Sequence, residues 1–430
     1  MRNRFLLAVV ILAMLVATSA IVAQDEVTLR YYTWEDSEQP MVDICAAELG
    51  YNIEYSPVTG TGVGELMAEL RALNTAGELP DVFWMSSGFV DEFAFDGLLY
   101  NIQEYVDRDI MTQAENYFVG SFDAGRFPTK VDSSDMYAFP WRFVETILYY
   151  NSDAFDAAGV DYPAEGWTWD DFLAAAEALT IDNNDDGLID QYGYYFFGRY
   201  AHIESWVYQN GGAWLSEDRQ SFEASPEAVE TIEFLNSLIN EHGVAPQPAE
   251  LEGVPDIFAS GLAAMWVDGI WNVTGLRDTA EFNWAVGPVP RGPNWTEDPA
   301  YGWSDMISIG ATTEHPEESW ELIKCLTGPN RTVDMGIGGT VPVYRPTALG
   351  DDWIEPDMMP ANKSFILDWA QYIGPTSFTP GWGEWRGYVD GAGLQGQLDE
   401  AFNGNLTVEQ AIANATDFAN SVLDRFYGDE

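Results

Sequence analysis

The sequence predicts an α/β protein of two lobes or domains, with a parallel sheet covered by helices. Three observations carry that expectation. The chain has 430 residues, more than one ordinary hydrophobic core organises. It is 47% hydrophobic and only 20% charged, a globular balance rather than a disordered one. Apolar runs of period two alternate along it with runs of helical period, the order of βαβ units.

VTLRYYTW (27–34) is the first alternating stretch and reads as a strand. A helix follows over 39–49 and stops at Gly50, and YNIEYSPV (51–58) is the second strand. GELMAELRALNTAGE (64–78) puts Leu66, Leu70 and Leu73 on one helical face, and DVFWMSS (81–87) is the third strand. In parallel sheets ligands lie beyond the carboxyl ends of the strands. That rule points at Trp34 and Glu35, at Thr59 and Gly60, and at Trp84, Ser86 and Ser87. Further strands are expected at 145–151, 192–198, 263–269, 283–290 and 305–311. Thr168 with Asp171, and Thr407 with Gln410, form capping boxes that open two helices. Ser225, Pro226 and Gly243 bracket another, and 316–328 is helical. Val408, Ile412, Ala415, Ala419 and Val422 form an apolar stripe suited to core packing.

The formal net charge is −52. Such a field repels phosphate backbones and anionic lipid, so nucleic-acid and membrane-surface partners are excluded. It leaves neutral and cationic ligands open. MRNR followed by FLLAVVILAMLVATSA reads as a secretory leader (1–23) cut after Ala23, with an uncleaved anchor as the alternative. Cleavage removes Arg2 and Arg4 and takes the charge to −54. No cysteine stands at the cut after the apolar run, so no lipid anchor is expected. Cys45 and Cys325 are the only cysteines, and either a disulfide or two buried thiols fits them.

TGTGVGEL (59–66) lacks the Lys-Ser/Thr of a phosphate-binding loop, and its glycines read as turn residues. DNNDDGLIDQYG (182–193) is sharper. Asp182, Asn184, Asp186, Gly187 and Asp190 match the first, third, fifth, sixth and ninth positions of a calcium loop, but Gly193 stands where the bidentate Glu belongs. A structural calcium completed by a distant carboxylate and a metal-free Asp/Asn turn both fit. No other cofactor is implied. His202, His242 and His315 show no zinc spacing, and no nucleophile elbow appears. With 70 carboxylates a glycosidase pair is conceivable, but nothing marks one.

The recurring signal is Trp or Tyr beside a carboxylate or amide. It occurs in TWED (33–36), WRFVE (141–145), ESWVYQNGGAW (204–214), MWVDGIWN (265–272), GWSD (302–305) and GWGEWR (381–386). Indole rings stack on the C–H faces of sugars, while carboxylates and amides take their hydroxyls. One such tryptophan alone reads as core; six clusters together read as a binding surface.

Five segments resemble the family-1, maltose-binding type of extracellular solute-binding proteins, which serve ABC sugar importers. They are 77–106, 137–180, 261–273, 284–293 and 315–329, in the family's order. The resemblance implies a type II periplasmic-binding-protein fold, each lobe a mainly parallel sheet flanked by helices, with ligand in the cleft between. It places the N-terminal lobe at 24–141 plus 284–336 and the C-terminal lobe at 146–279 plus 342–430. Crossings are expected near 141–146, 279–284 and 336–342. Carried onto this sequence, the ligand contacts are Trp34, Glu35, Trp84, Ser86, Ser87, Trp141, Arg142, Glu145, Trp214, Asp268, Trp271, Trp303, Asp305, Trp382 and Glu384. The implied protein is a monomer that is not an enzyme, exported to a periplasmic or extracellular space. It binds a carbohydrate and hands it to permease subunits. The alternatives are another polar solute, such as a sugar phosphate or polyamine, and a secreted glycoside-active enzyme. In 378–388, Trp382 and Glu384 are expected to face the cleft, with Trp385 and Tyr388 in the core.

Overall fold

The alternation of Thr28–Thr33 (β1) buries Leu29, Tyr31 and Thr33 on one face. In the computed structural model, residues 27–34, 37–58, 63–127, 135–251, 253–296, 300–329, 339–370, 377–387 and 392–428 are described. The leader, Glu35, Thr59, Gly60, Tyr388 and residues 336–338 of the expected 336–342 crossing lie outside them. β1 pairs in parallel with Asn52–Pro57 (β2) and Val82–Ser86 (β3). The helices Gln39–Leu49 and Val63–Ala76 make the two connections. Arg126–Phe127 (β4) and Asp135–Met136 (β5) form a separate pair.

Ala138–Asn151 (β6) is buried along its whole length. It is followed by Tyr192–Tyr195 (β7), Ala263–Gly269 (β8), Trp284–Gly287 (β9), Gly302–Ile309 (β10) and Val341–Pro342 (β11). One sheet runs β2-β1-β3-β10-β6-β8-β7, with β9 and β11 also paired to β6. Parallel pairing is confined to the outer strands: β10 is antiparallel to β3 and β6, and β6 is antiparallel to β8 and β9. The sheet is mixed because β6 and β10 run in opposite directions between the lobes.

Two hydrophobic cores are distinct. The first takes β1–β3, β6 up to Trp141, Met306–Ile309 and the helix Pro316–Leu326. The second takes β6 from Phe143, β7–β9, Ala300–Trp303 and the helices Pro226–Asn240 and Val408–Tyr427. β6 therefore passes from the first core to the second between Trp141 and Phe143. The crossing expected at 279–284 falls instead in β10, between Trp303 and Met306. β9 bonds to Leu148–Asn151, which draws Trp284, Val286 and Val289 into the second core. Val341 packs with the second core and Val343 with the first, so the chain crosses again at β11.

The capping boxes at Thr168/Asp171 and Thr407/Gln410 form with both reciprocal bonds. Cys45 and Cys325 are joined in a disulfide that ties Gln39–Leu49 to Pro316–Leu326 within the first lobe. Among the described residues no helix is long and apolar enough to cross a membrane.

Candidate functional site

Register across three strands builds the floor of a cleft between the two cores. Ser86 of β3 stands opposite Asp305 of β10, and Asp305 stands opposite Arg142 of β6. The cleft encloses about 420 Å³. Arg142 Nε donates to Asp305 Oδ2 at 2.7 Å, and both side chains are nearly buried. The guanidinium also lies over the Trp141 ring, 4.3 Å from its centroid.

The first lobe supplies one wall. Trp34 follows β1 and Trp84 lies in β3, with ring centroids 5.4 Å apart and a 38° tilt. Glu38 fixes the end of β1: Tyr31 Oη and Thr33 Oγ1 donate to its two oxygens at 2.6 and 2.8 Å. Both indole Nε1–H groups are buried and meet no partner among the described residues.

The second lobe supplies the opposite wall. Tyr200 opens the helix Tyr200–Gln209, Trp271 follows β8, and Trp303 lies in β10. Trp303 lies 5.3 Å from Tyr200 and 5.4 Å from Trp271, centroid to centroid. Gly269 permits this wall, because a Cβ there would collide with the Trp271 ring that folds back over it. Arg199 sits beside Tyr200 and Trp271 and bonds Asp268 Oδ2 at 3.3 Å. Burial pushes the Asp268 carboxyl up, but Arg199, His202 and the Gly269 N–H outweigh it and hold the group below the ordinary range. Burial also lowers His202, which is therefore neutral near pH 7. Each cleft arginine is thus matched by a carboxylate, and Glu65 adds a further carboxylate to the lining.

Seven of the residues expected as contacts line this cleft: Trp34, Trp84, Ser86, Arg142, Trp271, Trp303 and Asp305. The others are placed elsewhere. Ser87 is buried and its Oγ accepts from the Ser304 N–H. Trp141 is wholly within the first core. Glu145 is fully buried, with both oxygens unpartnered among the described residues, and burial raises its carboxyl well above the ordinary value. Trp214 is in the second core and donates Nε1–H to Glu204. Asp268 faces a neighbouring cavity that shares Arg199 with the cleft. Trp382 is buried between the lobes, and Glu384 is half-exposed and paired with Arg425. Arg199, Tyr200, Thr340 and Gln395 line the cleft without having been singled out.

The 182–193 loop is held by turns of its own. Asp182 accepts backbone N–H bonds from Asn184, Asp186 and Gly187, and Asp190 accepts from Asn183. Gly193, at the twelfth position, donates its N–H to Thr180 Oγ1. Among the described residues no three His, Cys, Asp or Glu side chains gather as a metal site.

Residues 13–330 match the model of the bacterial extracellular solute-binding proteins. The chain belongs to that family. A maltotriose-binding protein of Pyrococcus abyssi is 25% identical over 346 residues, 78% of this chain and 68% of that one. An sn-glycerol-3-phosphate-binding periplasmic protein of Escherichia coli is 23% identical over 307 residues, 67% of each. An ABC substrate-binding protein of Listeria monocytogenes, solved with cycloalternan, superposes with a TM-score of 0.79 at 22% identity. It covers 94% of this chain and 100% of its own. This solute-binding protein accordingly has the two-lobed α/β fold, with its cleft between the lobes.

Proposed function

We propose that this protein captures a neutral sugar or short oligosaccharide in the interlobe cleft and delivers it to the permease of an ABC importer. The observation that carries the reading is the pair of aromatic walls, one from each lobe, that line the cleft. A cleft of about 420 Å³ lies toward the small end of ligand pockets, which run from about 300 to 1,000 Å³. That size favours a short saccharide. Relatives that bind maltotriose and cycloalternan support the ligand class.

The protein performs no chemistry on its ligand. Ligand shifts the population toward the closed state, because only that state touches it from both walls. The leader is removed after Ala23, and the mature chain works as a monomer outside the cytoplasm. The Cys45–Cys325 bridge suits that oxidising setting.

A second reading, a phosphorylated polyol, is favoured by Arg142 and Arg199 and by the glycerol-phosphate-binding relatives. It ranks below the first because Asp305 and Asp268 already neutralise those arginines. A thermal-shift screen of neutral mono- to tetrasaccharides beside sn-glycerol 3-phosphate separates the two. A melting temperature that climbs with the excess of a neutral sugar is expected. A shift with the phosphate ester alone would select the second reading.

A further inference from the structure

Trp382 is only 1% exposed, yet it is absent from the cleft lining. It sits where the lobes touch. Its ring packs against Tyr200 and Phe378 of its own lobe, with centroids 5.6 and 4.8 Å away. From the other lobe, Phe89 meets it edge-on at 6.3 Å. Gly88 lies directly beneath it: a Cβ there would fall 2.8 Å from Trp382 Cε3, so only glycine admits the ring this closely. The adjoining Gly381 N–H points at Glu92 Oε2 at 3.4 Å, and Phe95 meets Phe426 at 5.9 Å across the same joint. This line of contacts divides the interlobe crevice. On one side is the cleft, on the other a cavity of about 290 Å³, and Gly64 borders both.

We infer that Trp382, seated on Gly88, is a latch that holds the lobes together directly, so that it sets ligand affinity through the closed population and not through ligand contact. The reasoning is thermodynamic. A contact made only in the closed state favours that state by the same amount whatever ligand is present. Apparent affinity scales with the fraction of molecules already competent to bind. Weakening the latch therefore weakens every ligand by one common factor, whereas removing a wall residue changes the ranking of ligands. The inference needs the two-lobed closure of the proposed function but not the identity of the ligand.

Small-angle scattering of the ligand-free mature protein tests it, using wild type, Gly88→Ala, Trp382→Ala and the double variant. Far-UV circular dichroism checks folding, and Gly88→Ala, which adds one methyl group, carries the test if Trp382→Ala does not fold. The expected result is a compact wild type and a larger radius of gyration in both single variants. Adding Gly88→Ala to Trp382→Ala should change nothing further, because the methyl then has no ring to meet. Calorimetric titration with glucose, maltose and maltotriose should show those that bind weakened about tenfold by either single variant, alike for each. Equal radii in wild type and variants would overturn the latch, and so would a weakening that differs from sugar to sugar. If no saccharide binds wild type, the sugar reading fails while the scattering still decides the latch.

Discussion

Glu145 buries a carboxyl on the strand that joins the two lobes, one residue from Val144 in the cleft floor. Its neighbours leave both oxygens without a partner among the described residues, and burial raises the group well above the ordinary glutamate range. The sign of the consequence is fixed. Between the ordinary value and the raised one, the folded state keeps a proton that the unfolded state has released. Stability from this group is therefore greatest below the ordinary glutamate range and falls as pH rises through that window, by up to about 1.4 kcal/mol per pH unit. Glu145→Gln removes that slope. In urea denaturation the variant should gain on wild type as pH rises above the ordinary glutamate range. A difference that does not change with pH would contradict this account of the residue. Arg386 shows the opposite arrangement. It is fully buried and gives Nε–H to Glu204 Oε1 at 2.6 Å and Nη1–H to the Gly198 carbonyl at 3.0 Å. Arg386→Ala would strand Glu204, which also accepts from Trp214. A loss of about 3–5 kcal/mol in chemical denaturation is expected, and a loss below about 1 kcal/mol would show the pair to be replaceable.

Among the elements, the amino-terminal strands were readable from sequence because each is a short alternating or apolar run that ends in a loop at the sheet's carboxyl edge. Trp34, Trp84 and Ser86 followed from that rule. The same rule applied to β7 leads straight to Arg199 and Tyr200, which GRY (198–200) places just beyond that strand. An aromatic next to an acid did not distinguish a cleft from a core. Trp214 lies beside acids like Trp271, but its indole closes the buried Glu204–Arg386 cluster. The β10 crossing was hidden because GWSD reads as a loop motif, while its backbone bonds continuously to β6 on both sides of the bulge at Asp305. The disulfide joins two helices that are 280 residues apart in sequence, and spacing alone does not reveal such a neighbour. Reducing it, or replacing both cysteines with serine, should cost about 2–5 kcal/mol of first-lobe stability. Matching denaturation curves with and without reductant would show the bridge to be energetically idle.

For the whole molecule, two cores meet at three strand crossings, and the ligand space is the gap left between them. The acidic surface and the local cleft are separate matters. The net charge of −52 governs solubility and long-range repulsion of anions, while in the cleft Arg142 and Arg199 are each paired with an aspartate and Glu65 adds a further carboxylate. A neutral saccharide satisfies both scales at once, stacking on the aromatic walls of the cleft. Calorimetric titration of the mature protein tests this most directly. It would set neutral mono- to trisaccharides beside sn-glycerol 3-phosphate, with Trp84→Ala and Trp271→Ala each removing one wall. The expected result is that a neutral saccharide binds wild type and that each variant weakens it by about tenfold or more, roughly 1.4 kcal/mol. Binding of the phosphate ester alone, or wall variants that hold the saccharide as tightly as wild type, would contradict the account.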